Sequence, residues 1–363
     1  MKWGLIVLLG GGIMVGLVLL TRLLSDSSLL TARATQVAVL PTPPMNYAWV
    51  SDHEFIMHAS YPERSLLRVD TRTGARTAMA GLQNCIGKER DYGTFALSPD
   101  GTRTLWKSGE VALEILSSPL DGSSLTKRSL KPGVFWVDAS DFVWMPDSRQ
   151  WVQLLAGTGR LYAVVEGLDS PGIIRQNAIG IPKGTANGFD LIPTHLLGCT
   201  QTGRILATPA WYDGVLGQNP QRQINFFEFS VDGGPAQLRE YTIGLPKAGK
   251  FYESDIALAH NEEVEMSPQG DRLAWIVHVM EEEPPLQKWL ARWIPLFKKE
   301  PHPRIELRTS KLDGSDVRAL GYLDFDPEKP PYANTNPSGL RWLPDGQRLS
   351  FIYEDAMWTI SAR

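Results

Sequence analysis

Phe95-Ala-Leu-Ser-Pro-Asp-Gly-Thr-Arg-Thr-Leu-Trp106 is the stretch that decides the fold. Two short apolar strands flank a tight turn whose residues each have a mechanical reason to be there. Proline presets φ, aspartate bonds its own backbone two residues on, and glycine accepts a positive φ. The template recurs as Phe142-Val-Trp-Met-Pro-Asp-Ser-Arg-Gln-Trp151, Val264-Glu-Met-Ser-Pro-Gln-Gly-Asp-Arg-Leu-Ala-Trp275 and Leu340-Arg-Trp-Leu-Pro-Asp-Gly-Gln-Arg-Leu-Ser-Phe351. A degraded copy is Leu196-Leu-Gly-Cys-Thr-Gln-Thr-Gly-Arg-Ile-Leu206, and a weaker one is Tyr47-Ala-Trp-Val-Ser-Asp-His-Glu-Phe-Ile-Met57. A second hairpin follows, with turns at Asp70–Gly74, Leu120-Asp-Gly-Ser123, Val231-Asp-Gly-Gly234 and Leu312-Asp-Gly-Ser315. Two hairpins make four strands, and the unit repeats every ~45–50 residues where insertions are absent, which is the pattern of a propeller blade. Residues 35–363 hold six such units, so the fold expected is all-β: a six-bladed β-propeller of four-stranded antiparallel blades.

The Ser-Pro-Asp-Gly hairpin followed by Leu-Asp-Gly resembles the TolB-like (WD-like) propeller repeat. The propellers of prolyl-oligopeptidase-like proteins resemble it too. The resemblance implies a part in a cell-envelope complex, but this repeat is attached to many activities and carries the fold better than the function. Oligopeptidases of that kind need a separate hydrolase domain, and the sequence is expected not to supply one after blade 6.

Blade 6 offers three strands, Gly339–Leu343, Arg348–Glu354 and Ala356–Ser361. The fourth is predicted to be Thr35-Gln-Val-Ala-Val-Leu40, a clasp that joins the two ends of the ring and removes an open edge. Because successive strands are antiparallel, the tight turns share one face of the disc. The long segments, 84–93, 131–141, 180–195, 209–222, 247–263, 280–303 and 324–339, share the other, where binding surfaces are expected.

Ahead of the repeats, Trp3–Leu20 is an unbroken apolar run without charge, and Leu23–Leu24 extend it. Its length points to an uncleaved transmembrane signal-anchor over 1–24 and a polar tether over 25–34. The expected protein is therefore a single-pass inner-membrane protein held through Trp3–Leu24, its propeller extracytoplasmic and its long-loop face turned away from the bilayer. Gly12 and Gly16 form a GxxxG pattern that could pair two anchors, although coincidence in a glycine-rich span is the preferred account.

Composition sets further bounds. The 363 residues carry a net charge of −4, which presents no basic footprint for nucleic acid. Two cysteines cannot build a disulfide scaffold or a four-thiolate zinc site. Cys85 and Cys199 fall on opposite faces and read as small buried hydrophobes. There is no Gly-x-Ser-x-Gly elbow, His-Glu-x-x-His, P-loop or dinucleotide fingerprint. No enzyme and no cofactor is expected.

Two groups of residues remain as candidates. The blade 5 insertion, 280–303, has apolar residues at helical spacing, with Leu286, Trp289, Leu290 and Trp293 on its stripe and Arg292 beside it. Packing of the two tryptophans onto their own blade is the preferred account. If the stripe is exposed, a protein partner is favoured over a membrane surface. The second group is polar: Asp138, Asp141, Asp190, His195, Glu253, Asp255 and His260 precede successive blades and could rim the channel mouth, in the manner of a calcium or small-ligand site. An ordinary solvated loop face is the preferred account there. The function expected is a non-catalytic, membrane-anchored propeller acting as a protein-interaction module in the envelope. The alternative is a small-ligand or calcium-dependent propeller enzyme working at the channel mouth.

Overall fold

The computed structural model describes residues 30–40, 44–59, 65–86, 95–108, 114–129, 142–157, 160–169, 173–180, 193–209, 223–235, 237–242, 264–280, 289, 292–293, 303–324 and 337–363. Helix α1 (Leu30–Arg33) leads into strand β1 (Thr35–Val39). Blade 1 then comprises β2 (Pro44–Trp49), β3 (Glu54–Ala59), β4 (Leu66–Asp70) and β5 (Arg76–Ala78), and is followed by helix α2 (Ala80–Ile86). Blade 2 is β6 (Phe95–Leu97), β7 (Arg103–Ser108), β8 (Glu114–Pro119) and β9 (Thr126–Ser129). Blade 3 contains β10 (Phe142–Trp144), β11 (Gln150–Gly157), β12 (Arg160–Gly167) and β13 (Ile173–Gly180).

Blade 4 is β14 (Pro193–Cys199), β15 (Arg204–Pro209), β16 (Gln223–Ser230) and, after a two-residue strand β17 (Gly234–Pro235), β18 (Gln237–Thr242). Blade 5 is β19 (Val264–Met266), β20 (Arg272–Met280), β21 (Pro303–Lys311) and β22 (Arg318–Asp324). Blade 6 is β23 (Ser338–Trp342), β24 (Arg348–Tyr353) and β25 (Ala356–Ser361), completed by β1. The innermost strands β2, β6, β10, β14, β19 and β23 neighbour one another in turn, and β23 returns to β2. That closes a six-bladed ring.

The clasp forms as the repeat count requires. β1 runs antiparallel to β25, with Thr35 opposite Thr359 and Val39 opposite Ala356, and Leu40 N–H donates to the Asp355 carbonyl at 2.7 Å. Residues 30–33, expected as tether, make a helical turn instead. Leu30 is buried in the blade 5–6 core and Arg33 donates to the Leu320 carbonyl at 2.9 Å.

The tight turns follow one plan with local variations. Asp100, Asp147 and Asp345 each accept the backbone N–H two residues on, and Gly101, Gly203, Gly270 and Gly346 take positive φ. The glycine is needed partly because each turn presses on its neighbour: a Cβ on Gly270 would lie 2.8 Å from Thr200 Cα in blade 4. Blade 3 has Ser148 at that place, at φ +56°. Its hydroxyl accepts the Asp100 N–H of blade 2 at 3.0 Å, a gain that offsets the strain of a side chain in this region.

Blades are buried on both faces, so their middle strands are apolar runs rather than alternating ones; β3 and β24 each bury four or more consecutive side chains. Cores lie between blades: Phe55, Trp49 and Met57 meet Leu343, Ile352 and Met357 at the closure, while Phe95 and Trp106 stack at 4.6 Å within the core shared by blades 1 and 2.

Two expectations need correction. Blade 3 has five strands rather than four, because β17 from the blade 4 turn pairs in parallel with the end of β13. Arg175 and Asp232 form an ion pair at 2.5 Å across this join, and Asn177 donates to the Val231 carbonyl, so the neighbour covers an otherwise open edge. The membrane-spanning signal-anchor is the larger correction. Among the described residues no helix is long and apolar enough to cross a membrane. Helices α1 and α2 rise only about 6 and 10 Å, against about 30 Å of hydrocarbon. Trp3–Leu24 lies outside the described residues. The single-pass, inner-membrane, extracytoplasmic assignment rested on that helix and is withdrawn, together with the membrane contact and anchor pairing through Gly12 and Gly16.

Candidate functional site

Strands β20 and β21 pair to their ends, Met280 opposite Pro303, so the blade 5 insertion leaves the hairpin opposite the tight turns. Within it Trp289 occupies a helical turn, and Arg292 N–H donates to the Trp289 carbonyl at 3.3 Å. Both side chains are exposed, Trp289 at 56% and Trp293 at 73%. Arg292 is exposed beside them. Leu286 and Leu290, the other members of the stripe, lie outside the described residues.

The channel-mouth group is not assembled by what is described. Asp138, Asp141, Asp190, Glu253, Asp255 and His260 lie outside the described residues. His195 is placed by its backbone alone, in β14 opposite Thr208. Among the described residues no three His, Cys, Asp or Glu side chains are grouped to hold a metal ion.

Several described aspartates elsewhere are engaged by their own turns. Burial opposes ionisation of Asp100 and Asp345, yet hydrogen bonds from Ser98 and Thr102, and from Gln347 and Arg348, hold both carboxyls below the usual range. Turn N–H groups at Arg72 and Ser123 lower Asp70 and Asp121 likewise. Burial pushes the Cys199 thiol up to about 11, with the Asp147 charge adding to it; it is free, buried and protonated at neutral pH, the opposite of an activated nucleophile. Cys85 lies in α2.

A polar junction that sequence reasoning missed sits at the ring closure. Ser350 Oγ accepts the Trp49 indole N–H at 2.7 Å, lies 2.9 Å from the Tyr47 hydroxyl and donates to the Arg341 carbonyl at 3.2 Å. Tyr47 also donates to the Gly339 carbonyl, and burial raises its phenol far above the ordinary value. Arg341 in turn pairs with Glu265 of blade 5. The available signal was a serine inside the apolar run Leu349-Ser350-Phe351. Tyr47, Trp49 and Ser350 are buried here and tie blades 6 and 1 together.

No family model matches the chain, and no curated protein matches it. Solved structures do. A candidate TolB of Agrobacterium tumefaciens is 14% identical, over 88% of this chain and 91% of that one, with a TM-score of 0.46. TolB from Acinetobacter baumannii is 11% identical over 91% of this chain and 64% of that one, TM-score 0.41. A Bacteroides thetaiotaomicron protein of unknown function is 10% identical over 91% and 75%, TM-score 0.50. At such identities the likeness concerns fold alone.

Proposed function

We propose that this chain is a non-catalytic propeller that serves as a protein-binding module, with the blade 5 insertion as its contact and Trp289, Arg292 and Trp293 as anchors. One observation carries the reading: two indoles four residues apart stand exposed with an arginine between them. Tryptophan and arginine are the residue types that dominate interface energetics once a partner desolvates them. The insertion is carried by a hairpin whose strands pair as far as Met280 opposite Pro303. The protonated Cys199 thiol and the turn-engaged aspartates are compatible with a protein that binds rather than reacts.

The test is site-specific photocrosslinking in cells, with the full chain carrying a crosslinker at position 293, or at 289. A defined protein adduct, lost when the other tryptophan is changed to alanine, is the expected result. Adducts to lipid alone, or the same adducts from Trp289→Ala and Trp293→Ala variants, would overturn it.

A further inference from the structure

The seam between blades 2 and 3 is built differently from the ring closure. Its core is Leu105 and Ile115 from blade 2 against Phe142, Trp144 and Trp151 from blade 3. Side chains opposite one another across a strand pair share a face. Ser117 is opposite Leu105 and Gln153 is opposite Phe142, so both point into this same seam beside Trp151. All three are enclosed: Ser117 is 1%, Trp151 0% and Gln153 5% exposed. Ser117 Oγ, Trp151 Nε1 and Gln153 Nε2 have no hydrogen-bond partner among the described residues.

Leaving such atoms bare costs about 1–3 kcal/mol each, a heavy load against the ~5–15 kcal/mol by which a folded domain is stable. The chemistry of the three atoms indicates what relieves it. The indole and the amide nitrogen only donate, so they need an acceptor, whereas the hydroxyl can donate or accept. One water molecule accepts twice and donates twice, and buried waters typically make about three such bonds. At the closure the same task falls to Ser350, whose hydroxyl accepts the Trp49 indole N–H and donates a hydrogen bond to the Arg341 carbonyl.

We propose that the blade 2–3 seam contains an internal water site bounded by Ser117 Oγ, Trp151 Nε1 and Gln153 Nε2, holding one or two molecules. The solvent there substitutes for a side-chain hydroxyl.

A high-resolution crystal structure of the full chain tests it, alongside that of Gln153→Met, which keeps the side-chain length and removes the amide. The expected result is ordered solvent within hydrogen-bond distance of Trp151 Nε1 and Gln153 Nε2 in the parent, with loss of the molecule bound to residue 153 in the variant. Because Ser117→Ala removes a single oxygen, it supplies a second crystal should Gln153→Met not fold; there the solvent keeps Trp151 and Gln153 and loses its third partner. A seam in which the three atoms bond to protein groups, or one with no solvent beside them, overturns the proposal.

Discussion

The closing seam between blades 6 and 1 and the internal seam between blades 2 and 3 bury comparable rings and differ in what satisfies their polar atoms. At the closure, Trp49, Tyr47 and Arg341 converge on one serine. Arg348 also reaches Asp52 across the turns at 3.5 Å, and Arg76 of blade 1 donates to the Val39 carbonyl of the clasp. Between blades 2 and 3, Trp144 donates to the Ala96 carbonyl at 3.3 Å, but Trp151 Nε1, Gln153 Nε2 and Ser117 Oγ have no hydrogen-bond partner among the described residues. The difference teaches where a propeller concentrates specific bonds. Blades 2 and 3 are consecutive along the chain, whereas the closure brings together residues some 300 positions apart and has to be specified by its own contacts.

The comparison can be broken by mutation. Trp49→Ala should be the most damaging, about 3–5 kcal/mol by denaturant unfolding, since it empties a buried volume packed 5.2 Å from Phe55 and removes the indole bond. Ser350→Ala leaves the Trp49 donor buried and unpaired and should cost about 1–3 kcal/mol. Ser117→Ala, the matching deletion in the other seam, should cost less than about 1 kcal/mol, because no protein partner is orphaned. Equal losses from the two serines would erase the distinction drawn between the seams.

Acid tests the turn beside the closure. Asp345, in the blade 6 turn beside the closure, has a lowered carboxyl, so its contribution is fully present above the ordinary carboxylate value of about 4 and is lost as pH falls through the depressed one. Stability should be level above that value and decline below it, and Asp345→Asn should flatten part of the decline in a pH series of unfolding curves. The smallest effect is expected from Trp289→Ala with Trp293→Ala: within about 0.5 kcal/mol in unfolding, since both rings are exposed. A larger loss would mean that they pack.

Much of this was legible in advance, for identifiable reasons. Pro-Asp-Gly turns and their flanking strands depend on local backbone chemistry, so the hairpins at 95–106 and 340–351 could be read directly, and the need to close a ring located β1. The turn of the second hairpin expected in blade 3 could not be named, because the sequence between β12 and β13 reads Leu168-Asp169-Ser170-Pro171-Gly172 rather than Leu-Asp-Gly-Ser. Strand β17 was invisible because it pairs through the backbone of a turn belonging to another blade. Helical spacing predicts a stripe in the insertion, but spacing does not say whether a stripe is covered, and Trp289 and Trp293 are exposed. The Trp3–Leu24 run was read from apolar length alone, a property that places a segment in a class without locating it against the rest of the chain.

The account's central claim is that β1 closes the ring, and the most direct measurement is the melting temperature of Ala38→Pro beside that of the parent. Ala38 pairs with Met357 inside the clasp, and proline there removes a ladder donor and restricts its neighbour. The account predicts a fall of about 5 °C, from several kcal/mol at roughly 1.5 °C each for a ring of this size. An unchanged melting temperature would contradict it.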